Sequence, residues 1–131
     1  MITILFQTES HFPVDRKKIK TALSQALSQK VKSDAEVSVT IVGDRRMREL
    51  NRRYRQLDDT TDVLSFGLND PTIKGMPFVD NPDGVMRFGD IVVSYPQAVS
   101  QAVDENKMVD DKIIELTLHG LDHLFGLHHP E

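Results

Sequence analysis

The segment EVSVTIVGDRRMRELNRRYR, residues 36–55, changes its hydrophobic periodicity at its midpoint. In its first seven residues, valine and isoleucine alternate with polar residues, which is typical of a half-buried β-strand. Gly43 and Asp44 end that alternation, and aspartate is a residue type that caps helices. The apolar residues that follow at helical spacing are Met47, Leu50 and Tyr54. The segment therefore predicts a strand that passes directly into an amphipathic helix, with Asp44 as its cap.

The sequence on both sides of this segment continues to alternate strands and helices. Further strands are predicted at residues 2–7, 61–66 and 86–95, and further helices at residues 14–31, 96–103 and 108–125. Residues 67–84 hold three prolines and are predicted to form an irregular loop, and loops of this length are usually functional or mobile. The order β-α-β-α-β-β-α-α indicates an α+β fold, a small mixed β-sheet packed with helices. The order in which the strands pair is not readable from these patterns.

The composition fits a single domain that spans residues 1–131. Hydrophobic residues make up 39% of the chain and aromatic residues 6%, so a mainly aliphatic core is expected. The chain has no cysteine, which excludes a disulfide framework and a thiolate metal site. The apolar run at the N-terminus is too short for a signal peptide or a membrane span. We therefore expect a soluble, cytoplasmic protein that does not bind membranes, and its oligomeric state stays open.

Three histidines near the C-terminus have the spacing of a metal site. His119 and His123 lie four residues apart on the last predicted helix, so both imidazoles project from one face. Gly126 is placed to end that helix in the left-handed conformation, which would turn the chain back and bring His129 toward the same face. Three imidazole ligands leave a fourth position of a divalent ion open, as in catalytic zinc sites. The sequence thus predicts one zinc ion on His119, His123 and His129.

Other interpretations of the histidines were weighed. A chance pair on a solvated helix is the simplest alternative, although four of the five histidines fall within the last thirteen residues. A metalloprotease of the H-E-x-x-H type needs a glutamate general base after the first histidine, and here that residue is Gly120. Glu115 lies one turn before His119 and is either a carboxylate that orients this histidine or, as we favour, a solvated helix residue.

The wider pattern is similar to that of a known family. Residues 119–129, HGLDHLFGLHH, resemble a signature H-G-x-L-H-L-x-G-x-D-H. Leu50-Asn51, Tyr54-Arg55, Asp58 and residues 61–66, TDVLSF, resemble a second block, and residues 89–93, GDIVV, resemble a third. These blocks occur in this order in the YbeY family of metal-dependent endoribonucleases. They run from residue 50 to residue 129, more than half of the chain.

This resemblance implies a role and a set of site residues. It implies cleavage of single-stranded RNA in ribosomal RNA maturation, notably at the 3′ end of the small-subunit RNA, and in ribosome quality control. It implies zinc on His119, His123 and His129, and a need for Arg55 in activity. Three positions depart from the signature: Asp122 replaces a leucine, Leu127 a tyrosine and His128 an aspartate. His128 is thus a competing donor beside His129, and the sequence ends at Glu131, where family members usually continue.

The arginines of the segment 44–55 complete the predicted site. The net charge of −4 argues against a general polyanion binder, yet six arginines fall in this short stretch. Arg48, Arg52 and Arg55 share one helix face and suit contacts to an RNA backbone, and Arg55 suits stabilisation of phosphoryl charge. For Arg45, Arg46 and Arg53 a solvated basic face is as good an interpretation. For Asp62 and Ser65 we expect hydrogen bonds near the site rather than chemistry.

Two rival functions stay open at this point. One is a different zinc hydrolase, such as a peptidase. Gly120 in place of a glutamate and the cluster of arginines disfavour this function. The other is a zinc-binding protein that associates with the ribosome or its small subunit and has little catalysis.

Overall fold

The computed structural model describes residues 1–9, 11–67 and 84–128 of the chain. Its strands are β1 (Ile2–Thr8), β2 (Ala35–Val42), β3 (Val63–Gly67) and β4 (Met86–Ser94). Its helices are α1 (Arg16–Lys30), α2 (Asp44–Arg55), α3 (Tyr95–Glu105) and α4 (Val109–His128). The predicted α+β fold and the order β-α-β-α-β-β-α-α are confirmed. Of the predicted loop at residues 67–84, Gly67 ends β3 and residues 68–83 lie outside the described ranges.

The strands form one mixed sheet in the order β1-β2-β4-β3. β1, β2 and β4 run parallel, and β3 pairs with β4 in the antiparallel direction. Parallel neighbours cannot be joined by a tight hairpin, so the chain crosses over through helices between them. β4, the last of the four strands in the sequence, thus lies inside the sheet, between β2 and β3.

A bulge in β4 depends on Gly89. The pairing of β2 with β4 shifts register between Glu36 and Val37, whose partners are Arg87 and Gly89. Gly89 has φ +130°, and a Cβ atom there would lie 2.0 Å from the Phe66 carbonyl oxygen on β3. Only glycine tolerates both the backbone conformation and this close approach.

The two faces of the sheet carry different helices. The larger apolar cluster joins one face to α1 and α4, through residues such as Ile19, Ile91 and Leu121. The smaller cluster joins the other face to α2, and its buried members are Val42, Met47, Leu50, Leu64 and Val92. Within β3, Val63 packs on the larger cluster and Leu64 belongs to the smaller one. α2 and α4 therefore lie on opposite faces of the sheet.

The predicted cap of α2 is wrong. Gly43 is the N-cap and makes no side-chain capping bond, while Asp44 is the first helical residue. The Asp44 carboxylate instead accepts hydrogen bonds from Ser94 Oγ (2.9 Å), Thr60 Oγ1 (3.3 Å) and Gln97 Nε2 (3.3 Å). The Asp44 carboxylate thus bonds to three donors from other parts of the chain and not to a backbone amide of its own helix. A local sequence pattern does not reveal these distant donors.

The predicted end of the last helix is also wrong. α4 continues to His128, so Gly126 lies inside the helix and does not reverse the chain. Glycine disfavours a helix interior by only about 1 kcal/mol relative to alanine, and the packing of Leu124 and Phe125 on the core favours continuation. Across the described residues, no helix is both long and apolar enough to cross a bilayer.

Candidate functional site

His119 and His123 lie on the exposed side of α4. Leu121 and Leu124 on the same helix are each 1% exposed and pack in the core, whereas both histidines are exposed. On an α-helix, residues four apart have Cβ atoms roughly 5–6 Å apart on one face. His119 and His123 are therefore both exposed, four residues apart on one face of α4.

A residue of the sheet orients one of these imidazoles. Ser65 Oγ lies 2.6 Å from His123 Nδ1. Ser65 is on β3 and alternates with Leu64, which faces α2, so its side chain points to the α4 side. When Nδ1 carries the proton and donates it to Ser65, Nε2 keeps a free lone pair, the form in which histidine binds metals. The expectation that Ser65 hydrogen-bonds near the site is confirmed.

Gly120 lets the histidine helix lie against the sheet. A Cβ atom at this position would lie 2.9 Å from Ile91 Cγ2 on β4. A glutamate here, as in metalloproteases of the H-E-x-x-H type, would collide with the central strand. The structure therefore gives a steric reason why that general base is absent.

The described residues contain part of a metal site. Within them, no cluster of three His, Cys, Asp or Glu side chains is placed to share an ion. His129, the third predicted ligand, lies outside the described residues, and His128 is described only as the last residue of α4. Two exposed imidazoles, one of them oriented by a hydroxyl, suit a zinc ion as part of a larger ligand set. Zinc on His119, His123 and His129 stays a prediction.

The acidic residues near the histidines have other partners. Glu115 accepts hydrogen bonds from Lys107 Nζ and Lys112 Nζ, each at 2.5 Å. These lysines lower the pKa of Glu115 to about 2. Glu115 is thus a partly exposed carboxylate of the helix surface that forms ion pairs with two lysines, in keeping with the preferred interpretation that it does not orient His119. Asp122 is 2.7 Å from Lys30 Nζ on α1, away from the histidines as expected.

The predicted arginines lie on the other face of the sheet. Arg48 and Arg52 line one open depression on α2, here called the arginine groove. Its lining residues are Asp44, Arg45, Arg48, Glu49, Arg52, Asp58, Asp59 and Thr60. Arg48 Nε lies 3.0 Å from Asp58 Oδ1, and this hydrogen bond lowers the pKa of Asp58. Arg55 is exposed at the end of α2 and does not line the groove. The structure thus brings Arg48 and Arg52 together, and the sheet separates α2 from the histidines.

Asp90 was given no role in the sequence analysis, although it belongs to the block of residues 89–93, GDIVV. Asp90 lies on β4 and lines a second depression on the α2 side with Arg46, Tyr54 and Phe66, among others. Burial raises the pKa of its carboxyl group, and a hydrogen bond with Ser38 acts in the opposite direction. A perturbed carboxyl in a depression is a candidate for function. The available signal was a charged residue immediately before the apolar run of a central strand.

Comparison with known proteins places the chain among endoribonucleases. A family model described as Endoribonuclease YbeY matches residues 4–131. A relative of that name from Moorella thermoacetica is 36% identical over 125 residues, covering 92% of this chain and 80% of the relative. A relative of the same name from Brevibacillus brevis is 35% identical, and the match covers 98% of this chain and 85% of that relative. One from Desulfitobacterium hafniense is 41% identical over 98 residues, but the match covers 75% of this chain and 61% of that relative.

A solved structure supports the fold. The solution structure of a Thermotoga maritima protein matches with a TM-score of 0.59 at 24% identity, covering 92% of this chain and 71% of the other. At this identity the match is evidence for the fold alone.

Proposed function

This chain belongs to the YbeY family of endoribonucleases, and from that membership we propose that it cleaves single-stranded RNA at phosphodiester bonds, with zinc as its cofactor. The observation that carries the proposal is the exposed pair His119 and His123, with Ser65 hydrogen-bonded to the second ring. His129 is the third ligand in this proposal, by its match to the family signature. A zinc ion held there would polarise a phosphoryl oxygen and lower the pKa of a water molecule.

The chain's own residues supply orientation and charge. Ser65 keeps the His123 ring in one tautomer and one direction, so that Nε2 faces the shared ligand position. From the family resemblance we assign Arg55 a part in activity, since the donors of its guanidinium match phosphate geometry; in the structure it lies at the end of α2, on the other face of the sheet from the histidines of α4. Arg52 and Arg48 hold the RNA backbone. Arg48 does so less strongly, because Asp58 already balances its charge.

The biological setting is proposed from family resemblance. We propose that the RNA is ribosomal, with cleavage at the 3′ end of the small-subunit RNA, and that the protein acts in ribosome quality control in association with the ribosome. The second candidate, a ribosome-associated zinc protein with little catalysis, shares the same ligands and differs in its chemistry. A peptidase of the H-E-x-x-H type is disfavoured, because Ile91 leaves no space for a glutamate at position 120.

Metal content measured together with RNA cleavage tests the proposal. Wild type, His123→Ala and His11→Ala are purified, analysed by plasma mass spectrometry and incubated with single-stranded ribosomal RNA. We expect one zinc per chain and cleavage for wild type and for His11→Ala, whose histidine is exposed far from α4 in the sequence. His123→Ala should lose both. Zinc without cleavage in wild type would favour the binding protein, and wild type without metal would overturn the zinc site.

Arg55→Ala should separate catalysis from metal binding. Because Arg55 lies on α2 and the histidines lie on α4, we expect this variant to keep its zinc while RNA cleavage falls by roughly 100-fold, the usual effect of removing one donor to developing charge. Arg53→Ala is the matched control, since Arg53 is exposed next to Tyr54 on the same helix. Equal losses in both variants, or loss of zinc with Arg55, would contradict the role.

A further inference from the structure

β1 is an edge strand, and the structure shows which of its backbone groups face outward. Within the described ranges, β1 pairs with β2 alone. The Met1 carbonyl accepts from Ala35 N, and Glu9 N donates to the Ile41 carbonyl. Odd-numbered residues of this strand therefore direct their N–H and C=O groups toward β2. Because the direction alternates along a strand, Ile2, Ile4 and Phe6 direct theirs outward.

One end of this edge is already occupied. Arg16 Nη1 donates to the Phe6 carbonyl at 3.3 Å, which confirms that this carbonyl points away from β2. Among residues 1–9, 11–67 and 84–128, no partner is found for the N–H and C=O of Ile2 and of Ile4 or for the N–H of Phe6. Alternating donors and acceptors at strand spacing match the backbone of one more extended segment.

The features that normally prevent strand addition are missing from β1. Edge strands are usually protected by charged residues, proline or a bulge. The sequence of β1, ITILFQT, contains no charged residue or proline, and its register with β2 is continuous over seven residues. Apart from its Phe6 end, where Arg16 lies, the edge is unprotected, which indicates a surface that another segment covers.

A groove that contains Lys20 runs beside the edge, between β1 and α1, and Lys17 lies one helical turn before Lys20. Its lining residues are Ile2, Thr3, Ile4, Lys20, Thr21, Ser24 and Gln25. α1 carries five cationic residues, Arg16, Lys17, Lys18, Lys20 and Lys30, and no acidic one. Lys18 and Lys30 form ion pairs with Asp111 and Asp122. In the described part of the chain Lys17 and Lys20 form none, so their charge is available to a ligand.

We propose that the β1 edge and this groove bind an extended acidic segment of a partner protein by strand addition. The partner's backbone pairs with Ile2, Ile4 and Phe6, and its carboxylates on the helix side meet Lys20 and Lys17. A second copy of this chain is a poorer occupant, because symmetric pairing of two β1 edges would place two cationic α1 helices side by side. RNA is also a poorer occupant, since its phosphates only accept hydrogen bonds, whereas an extended peptide presents donors and acceptors alternately at the spacing of the open groups of Ile2 and Ile4.

Amide spectra of the ¹⁵N-labelled full chain test this proposal. The probe is an acetylated ten-residue peptide that alternates glutamate and valine, and the comparison probes are the lysine–valine equivalent and a single-stranded RNA. We expect the acidic peptide to shift the amide signals of Ile2, Ile4 and Phe6 and to slow their hydrogen exchange, while Thr3, Leu5 and Gln7 change less. Shifts at these amides with RNA and not with peptide, or on concentrating the protein alone, would overturn the proposal, as would no shift with any probe.

Charge reversal in the groove provides the matched variants. Lys20→Glu should weaken binding of the acidic peptide by roughly ten-fold. The change removes one exposed attraction between charges and adds one repulsion, so it alters the binding free energy by about twice that of a single exposed ion pair. The same variant should bind the lysine–valine peptide better than wild type does. Lys32→Glu makes the same charge change at an exposed position beyond α1, outside the groove, and should leave both affinities within about two-fold of wild type. Equal effects of the two variants would show that net charge, and not this groove, attracts the peptide.

Discussion

Ser65 connects the edge of the sheet to the histidine pair through one hydrogen bond. Its hydroxyl lies 2.6 Å from His123 Nδ1, although the two residues are 58 positions apart in the sequence. A group that orients a metal-binding histidine in this way raises metal affinity without touching the metal. The bond therefore has a measurable consequence for the proposed zinc site.

We predict that Ser65→Ala lowers zinc affinity by roughly ten-fold or more, because the His123 ring loses its fixed tautomer and direction. Competition with a chromophoric chelator measures the affinity, and thermal unfolding of the metal-free protein reports on the fold. Ser28→Ala, on α1 and away from the histidines, is the control for loss of a serine hydroxyl. An unchanged zinc affinity would show that Ser65 does not position a ligand.

Two glycines of α4 should respond in opposite ways to alanine. At Gly120 the added Cβ would lie 2.9 Å from Ile91 Cγ2, so Gly120→Ala should destabilise the protein by about 1–3 kcal/mol. Gly126 is exposed in the same helix with nothing within 4 Å of its added Cβ. Gly126→Ala should therefore be neutral or stabilising by up to about 1 kcal/mol. Urea denaturation of both variants measures this, and similar effects at the two sites would contradict the close approach of α4 to β4.

At the scale of elements, a cluster of four charged residues joins the end of α3 to α4. Lys112 is only 5% exposed, and its Nζ lies 2.8 Å from Glu105 and 2.5 Å from Glu115. Lys107 is within 3.1 Å of Glu105 and 2.5 Å of Glu115. A buried ammonium with two carboxylate partners is satisfied, whereas removal of Glu115 would leave Glu105 as its single partner within the cluster.

This cluster predicts how stability depends on pH. The lysines lower the pKa of Glu115 from its ordinary value of 4.5 to about 2. A carboxyl whose pKa is lower in the folded state stabilises it above pH 4.5, and that contribution is lost as the pH falls toward 2. Glu115→Gln should thus be less stable than wild type at neutral pH and should lose less of its free energy of unfolding between pH 4.5 and 2.

Urea unfolding at several pH values measures the difference between wild type and Glu115→Gln. Asp104→Asn, an exposed carboxyl on α3 outside the cluster, is the control and should follow the wild-type curve more closely. If the difference in free energy of unfolding between wild type and Glu115→Gln stayed constant from pH 7 to pH 2, the lysine contacts would not stabilise the ionised form of Glu115.

The elements themselves were predictable because hydrophobic periodicity is local. The alternation of residues 36–42 and the helical spacing of Met47, Leu50 and Tyr54 depend on neighbouring positions, and the predicted order of elements was correct. Helix ends were less predictable, since tertiary contacts compete with local signals. Asp44 is engaged by Ser94, 50 positions away, and Gly126 lies within a helix that its neighbours hold on the core.

At the scale of the whole molecule, the sheet separates the arginine groove from the histidines. The sequence predicted the spacing of His119 and His123 but not this separation, because strand order depends on pairing between distant segments. Ser65 was expected near the site in general terms, and its partner became identifiable only when β3 and α4 were placed together. Position 129 lies outside the described residues, so the third ligand rests on the sequence alone.

The arginine groove predicts unequal contributions to RNA binding. Asp58 balances the charge of Arg48, while Arg52 lines the same groove and forms no ion pair among the described residues. Arg52→Ala should therefore reduce the slope of log affinity against log salt concentration by about 1, and Arg48→Ala by less. Asp58→Ala should free Arg48 and increase affinity. Fluorescence anisotropy with a 2′-O-methyl RNA, which resists cleavage, measures all three, and equal slopes for the two arginine variants would contradict the assignment.

The interior position of β4 sets an order of events during synthesis on the ribosome. β1, α1 and β2 leave the exit tunnel first and can pair, but the strand that joins them to β3 follows only after residue 86. α4 emerges after β4 and docks on Ile91 of that strand through Gly120. His119 and His123 therefore reach their final positions after the sheet is complete, and the zinc proposed for them would bind only once α4 has been translated.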